Sequence, residues 1–177
     1  MEMQILYFIQ SLRSPILDQI VLAITNILGS YGQIWVVIGA IMLLFKKTRK
    51  CGLCVIIAYF ICFGLGEYGL KELVGRVRPC NVDTTVPLLV ARKTTGSFPS
   101  THAMFAFTAA AVIHTYFKKA GILAEIAAII IGLSRLYLFM HYPTDVLAGL
   151  VLGTLVGWIV CGIADTVQKK FFRTTNA

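Results

Sequence analysis

The stretch from Leu53 to Leu70, LCVIIAYFICFGLGEYGL, carries Glu67 as its only charge. Its length decides the fold. About 18 or more apolar residues, at ~1.5 Å rise per residue, make a helix that crosses the ~30 Å hydrocarbon core of a bilayer. The same reading extends outward. Gly121 to Leu133 is apolar apart from Glu125, and Val146 to Ala164 contains no charge at all. Charged residues make up 14% of the 177-residue chain and apolar ones 58%, against roughly 25% and 45–50% in soluble domains. The chain reads as an all-α integral membrane bundle.

Five spans are expected, over 32–46, 52–74, 100–117, 121–140 and 144–165, with a sixth, partial one as the alternative. Before them, Met3–Leu12 and Pro15–Leu28 read as shorter helices. Ser14 and Pro15 are suited to the cap and first turn of the second. Asp18, Gln19 and Asn26 make that helix amphipathic, so residues 1–30 are expected to lie at the membrane interface. No Pro/Gly/Ser-rich linker divides the chain. A single domain over 1–177 follows, with the bundle at 32–165. Glu2 occupies the place of a basic leader region, so no cleaved signal peptide is expected.

The net charge of +8 is explained by membrane orientation rather than by nucleic acid, which is not expected as a partner. Lys46, Lys47, Arg49 and Lys50 lie between the first two spans. Lys118 and Lys119 lie between the third and fourth, and Lys169, Lys170 and Arg173 follow the fifth. With alternating spans these clusters share one face, which the positive-inside rule makes cytoplasmic. The cell membrane, inner or plasma, is the expected location.

The opposite face collects different chemistry from three segments: Lys71–Pro79, Pro99–His102 and Ser134–Asp145. Lys71, Arg78 and Arg135 are three cations near membrane depth, where ionisable groups are costly enough to suggest function. Arginine's planar fork suits two phosphate oxygens, and lysine adds a point charge. Ser100 stands where the third span begins, and the free N–H groups of such a helix start attract anions. A turn at Pro143 can bring the Asp145 carboxylate back onto His141. One imidazole nitrogen would then be held and the other left free to attack. His102 is placed to act as general acid toward a leaving group.

These residues closely resemble the type 2 phosphatidic acid phosphatase family, whose phosphate site is shared with vanadium haloperoxidases. The pattern K-x6-R-P matches Lys71 through Pro79, and S-R-x5-H-x3-D matches Ser134 through Asp145. The pattern P-S-G-H appears as Pro99-Ser100-Thr101-His102, with threonine in place of glycine. The resemblance implies a metal-independent phosphatase acting on a lipid phosphate or diphosphate in the bilayer, without cofactor. In it His141 is the nucleophile, forming a phosphohistidine; Asp145 orients it and His102 protonates the leaving oxygen. Lys71, Arg78, Ser100 and Arg135 hold the phosphate, joined by the backbone N–H of Thr101. The Thr101 β-carbon restricts the loop where the family has glycine. Undecaprenyl pyrophosphate is the leading substrate; phosphatidylglycerophosphate, phosphatidic acid and lipid A phosphates are the rivals. A small transporter or structural membrane protein is the non-enzymatic alternative, and it requires a polar path through the bilayer.

Other features have plainer explanations. The five scattered cysteines, including the Cys51-x-x-Cys54 pair, read as small packing residues. Gly149, Gly153 and Gly157 make a flat helix face for close packing. Glu67, four residues before Lys71, is expected to pair with it. His114, Glu125 and Asp165 lie toward the inner face, and no cluster has metal-ligand spacing. The loop between Cys80 and Ser97 carries apolar Val86–Val90 followed by Arg92 and Lys93. It reads as a lid that dips into the interface and guides an anionic headgroup.

Overall fold

The computed structural model describes residues 1–28 and 32–175. Among these described residues nine α-helices follow in order: α1 (Glu2–Ser11), α2 (Pro15–Leu28), α3 (Ile34–Leu43), α4 (Arg49–Phe63), α5 (Lys71–Val74), α6 (Pro79–Val82), α7 (Thr101–Tyr116), α8 (Lys118–Tyr137) and α9 (Pro143–Thr175). A π-helical segment, Gly64–Leu70, joins α4 to α5. No strand occurs among the described residues.

Among the described residues three stretches are long and apolar enough to cross a membrane: Arg49–Val82, Lys118–Tyr137 and Pro143–Lys170. The expected spans at 32–46 and 100–117 appear as the shorter helices α3 and α7, of 10 and 16 residues. The outward faces of the long helices remain apolar. Phe60, Leu123, Ile126, Leu133, Trp158 and Ile163 are all at least half exposed. An apolar belt of that extent is lipid-facing surface.

Helix α7 is the axis of the bundle, packed against α4, α8 and α9. Every residue from Thr101 to Ile113 is buried. Small side chains permit this, since Ala103, Ala106, Ala109, Ala110 and Ala111 let three neighbours approach one helix. The closest approach is to α9, along the glycine stripe read from the sequence. A β-carbon at Gly149, Gly153 or Gly157 would lie 2.6, 2.3 or 2.9 Å from the backbone oxygen of Ser100, Met104 or Thr108. That contact sets the N-termini of α7 and α9 side by side, where Ser100 N–H donates to Asp145 O at 3.0 Å.

At the other end of α7, Lys50 pairs with Asp165 at 2.5 Å, and Tyr116 Oη donates to Asp165 at 3.2 Å. The basic N-terminus of α4 therefore lies at the opposite end from the α7 and α9 N-termini. Helices α1 and α2 cover the site end. Leu6 and Val21 are buried with Leu136, Leu138 and Phe139, and Gln10 Nε2 donates to Tyr137 O at 2.8 Å. The 29–31 stretch, where the N-terminal pair was expected to pass into the first span, lies outside the described residues.

The 80–97 loop is not a free apolar lid. Val86, Leu88, Leu89 and Val90 are half-buried against Leu138, Phe139 and their neighbours. Arg13 Nη1 donates to Pro87 O at 2.7 Å, and Asn81 Nδ2 to Lys93 O at 2.9 Å. Burial of apolar surface, worth ~25 cal/mol per Å², favours this docked arrangement over exposure.

Candidate active site

His141 follows an unusual helix end. At the close of α8, Phe139 N–H donates to Leu136 O at 2.9 Å and Met140 N–H to Arg135 O at 3.2 Å. This is a Schellman cap, whose left-handed position usually holds glycine. Here Phe139 takes it, at φ 58. A non-glycine residue there costs roughly 1–2 kcal/mol. The Phe139 side chain is fully buried, and such burial contributes about 1.5–3 kcal/mol, enough to offset the strain. The cap turns the chain sharply and leads His141 into the interior.

The His141 ring is 3% exposed. Its Nδ1 donates to Ser97 O at 2.8 Å, and its Nε2 accepts from Arg78 Nη1 at 3.1 Å. Those partners specify the Nδ1–H tautomer, with the Nε2 lone pair on the arginine side. Burial pushes the imidazole down to about 4; Arg78 and Lys71 act in the same direction and Asp145 opposes them. The ring is therefore neutral near pH 7.

Asp145 differs from the sequence expectation in how it serves His141. Its Oδ2 lies 3.6 Å from Nδ1, beyond hydrogen-bond length, and accepts instead from Tyr142 N–H at 2.8 Å. That backbone bond is half of a capping box: the third residue of α9 satisfies the N–H that precedes the helix. Its Oδ1 accepts from Arg76 Nη1 at 2.7 Å. Asp145 thus stands behind His141 as a buried charge, and the directional bond to the ring comes from Ser97.

Arg76 was missed by the sequence reading, which attended only to the cations of the matched motif. It pairs with Glu2 of α1 as well as with Asp145, and its guanidinium stacks over Tyr142 at 3.9 Å. Glu2 also accepts from the Thr144 hydroxyl at 2.7 Å. The first helix is thereby tied to the α9 N-terminus. The doubled arginine in Gly75-Arg-Val-Arg78 was the available signal.

Arg78 is 2% exposed, and all five of its N–H donors have partners. Four go to Thr95 O, Thr95 Oγ1, Gly96 O and Met140 O, and the fifth to His141 Nε2. Arg78 is fixed by backbone carbonyls, with one donor aimed at the imidazole.

Lys71 is buried and donates to Glu67 and, at 3.1 Å, to Thr101 Oγ1. The Thr101 hydroxyl donates in turn to Glu67 Oε1 at 2.6 Å. The threonine that stands for the family glycine thus closes a triangle with the expected Glu67–Lys71 pair. Its methyl packs on Gly66 of the π-helical segment, where a β-carbon would come within 2.7 Å. π-bulges commonly mark functional positions. Arg135, also buried, donates to Ser134 Oγ at 2.9 Å and to Thr25 Oγ1 of α2 at 2.8 Å.

A cavity of about 350 Å³ gathers these groups. Lys71, Arg78, Thr101, His102, Arg135 and His141 line it, together with Lys93, Thr25, Asn26, Val90, Leu138 and Met140. Ser100 and Asp145 stand outside the lining. The Ser100 and Ser97 hydroxyls are buried and have no partner among the described residues. Thr25 and Asn26 gave no sequence signal for membership, because α2 reaches the cavity only through tertiary packing, whereas Lys93 was read with Arg92 in the loop expected to guide an anionic headgroup. No group of three metal-ligating side chains occurs among the described residues.

The sequence profile of the PAP2 superfamily matches residues 47–169, which include all three cavity-forming segments. The chain belongs to the PAP2 superfamily. Undecaprenyl-diphosphatase of Sulfolobus acidocaldarius is 35% identical over 81% of this chain and 70% of its own length. Phosphatidylglycerophosphatase B of Bacillus subtilis is 33% identical over 89% of this chain and 80% of its own length. The crystal structure of a transmembrane PAP2-type phosphatidylglycerolphosphate phosphatase from Bacillus subtilis superposes with a TM-score of 0.75 at 30% identity. It covers 93% of this chain and 84% of that one. The PAP2 chain described here is a metal-independent lipid phosphatase of the membrane.

Proposed function

We propose that this PAP2 phosphatase removes the terminal phosphate of a polyprenyl diphosphate, undecaprenyl diphosphate first among them, through a phosphohistidine at His141. The observation that carries the reading is the state of His141: a neutral imidazole, held at Nδ1 by Ser97 O, lining a cation-rich cavity with its Nε2 lone pair facing the Arg78 guanidinium. Nε2 attacks the terminal phosphorus, and the bond from that phosphorus to the bridging oxygen breaks. The lipid monophosphate leaves. His102, which lines the same cavity, supplies a proton to the leaving oxygen when the substrate is a monophosphate and the departing alkoxide needs one. Water then attacks the phosphohistidine, freeing inorganic phosphate and the neutral imidazole.

During the attack, negative charge on the phosphoryl oxygens is held by Lys71, Arg78 and Arg135, the main electrostatic task in phosphoryl transfer. The Ser100 hydroxyl and the N–H groups at the start of α7, Thr101 included, serve the same anion. Displacement of the Arg78–His141 contact by the phosphoryl group frees one donor for it. Asp145 stabilises the imidazole charge that develops. Val90, Leu138 and Met140 give the cavity an apolar wall for the first carbons of the lipid. The 35% identity to a protein named undecaprenyl-diphosphatase supports this substrate. The resemblance to phosphatidylglycerophosphatases keeps phosphatidylglycerophosphate as the second reading.

The basic clusters at the other end of the bundle support a cell-membrane location with the cavity facing outward. The deciding experiment measures phosphate release by purified protein from undecaprenyl diphosphate, phosphatidylglycerophosphate, phosphatidate and lipid A. The diphosphate is expected to give the highest kcat/KM, and His141→Ala to abolish release from every lipid. Preference for a monophosphate lipid replaces the substrate assignment, and residual turnover by His141→Ala removes the phosphohistidine.

A further inference from the structure

The cavity holds more positive charge than one phosphate requires. Lys71, Arg78, Arg135 and Lys93 all line it, and the carboxylate paired with them is Glu67, on Lys71. Asp145 is engaged by Arg76 and the α9 N-terminus behind His141. Four cations and no carboxylate are among the side chains that line the cavity. A phosphate monoester carries about −1.5 to −2 at neutral pH. A diphosphate monoester adds one more ionised oxygen on its inner phosphorus, a second anionic group for the cations of the lining.

Lys93 is the cation outside the matched motifs. It lies on the docked 80–97 loop, where its carbonyl is held by Asn81 Nδ2 at 2.9 Å. Asn81 belongs to α6, which begins next to Arg78. The lysine is therefore fixed to the element that carries a principal site cation, rather than swinging on a free lid. The same cavity wall includes Thr25 and Asn26 of α2, which bring a hydroxyl, held by Arg135 at 2.8 Å, and an amide. Burial and the charges of Arg78 and Arg135 press its pKa down, with Glu67 opposing; an additional anion beside it would relieve that crowding.

We infer that Lys93, with Thr25 and Asn26 of the same cavity wall, forms the seat of the second, lipid-proximal phosphate of a diphosphate ligand. This makes Lys93 a specificity-determining residue: the motif cations take the terminal phosphate at His141, and Lys93 takes the bridging side. The inference rests on the phosphatase reading above and deepens it, because it gives a physical reason for diphosphate preference within this chain. The lysine acts on binding and orientation of the leaving half and contributes no bond-making step.

The test separates the two readings by using ligands that need no turnover. Methylenediphosphonate and orthophosphate are titrated calorimetrically into detergent-solubilised wild type, Lys93→Gln and Lys93→Arg. A charge-assisted hydrogen bond to an anion supports a loss of about tenfold to a hundredfold in diphosphonate affinity for Lys93→Gln. Orthophosphate affinity should change by less than about threefold, and Lys93→Arg should restore most of the diphosphonate affinity. Equal losses for both ligands, or no loss for either, overturn the inference. In parallel, kcat/KM for undecaprenyl diphosphate should fall in Lys93→Gln by about tenfold more than kcat/KM for undecaprenyl monophosphate. A wild type that hydrolyses neither lipid defeats the phosphatase substrate reading, while the diphosphonate titration still decides the second-phosphate seat.

Discussion

The two ends of this bundle treat charge in opposite ways. At the cavity end, Lys71, Arg78, Arg135 and Asp145 are each at most 6% exposed. At the other end the ion pairs are open: Lys50–Asp165 has side chains 35% and 44% exposed, and His114–Glu125 has 39% and 43%. Water and salt screen the open pairs, which contribute about 0–1 kcal/mol each. Burial removes that screening, so each cavity charge costs several kcal/mol of desolvation unless it is met by partners. The molecule meets that cost with backbone carbonyls around Arg78, a carboxylate and hydroxyl around Lys71, and a helix start around Asp145. This concentration of partnered, buried charge at one end is what the proposed phosphate site rests on.

The largest test of the contrast removes a partner from the buried end. Glu67→Ala leaves the Lys71 ammonium with the Thr101 hydroxyl in place of a carboxylate, and should lower unfolding stability by about 3–5 kcal/mol. Equilibrium unfolding in detergent reads this directly. A loss below about 1 kcal/mol would mean that water reaches Lys71 and that the two ends are alike.

Next in size is the response to acid. The His141 imidazole is pressed from 6.5 down to about 4, so the folded state binds fewer protons than the unfolded chain between those values. The stability tied to its neutral form is fully present above pH 6.5 and is lost as pH falls toward 4. At ~1.36 kcal/mol per tenfold in proton concentration, the loss is about 3 kcal/mol. Wild type should lose that much more than His141→Asn between pH 7 and 4. Parallel stability curves for the two proteins would place the imidazole in contact with solvent.

The glycine stripe offers a smaller and signed comparison within one helix. Gly153→Ala places a β-carbon 2.3 Å from Met104 O, forcing α9 away from α7 at a cost of about 1–3 kcal/mol. Gly162, farther along α9, has open space around its β-position. Gly162→Ala should stabilise by about 0.5–1 kcal/mol through helix propensity alone. Thermal midpoints that shift in the same direction for both variants would remove the close-packing account. Smallest of all is Lys50→Gln, expected to change stability by at most about 1 kcal/mol and phosphate release by less than about twofold.

Much of this protein is determined by its sequence alone. The long apolar runs require helices, because in lipid only helices and closed barrels satisfy the backbone. The three motif segments recur at the ends of those helices, and connectivity places them on one side. Six of the eight expected site residues line one cavity accordingly. The tertiary structure decided what local spacing does not encode. Arg78 is held by Thr95 and Gly96 O and Met140 O, and Ser97 O rather than Asp145 orients His141. Backbone carbonyls have no residue signature, so no motif reports them. Arg76, Glu2, Thr25 and Lys93 likewise enter through contacts spanning 68 or more positions for Arg76 and Glu2, and 110 for Thr25 with Arg135. Such contacts exist because α1, α2 and the 80–97 loop bury their apolar faces on α8, a global packing result that carries polar neighbours into the site with it.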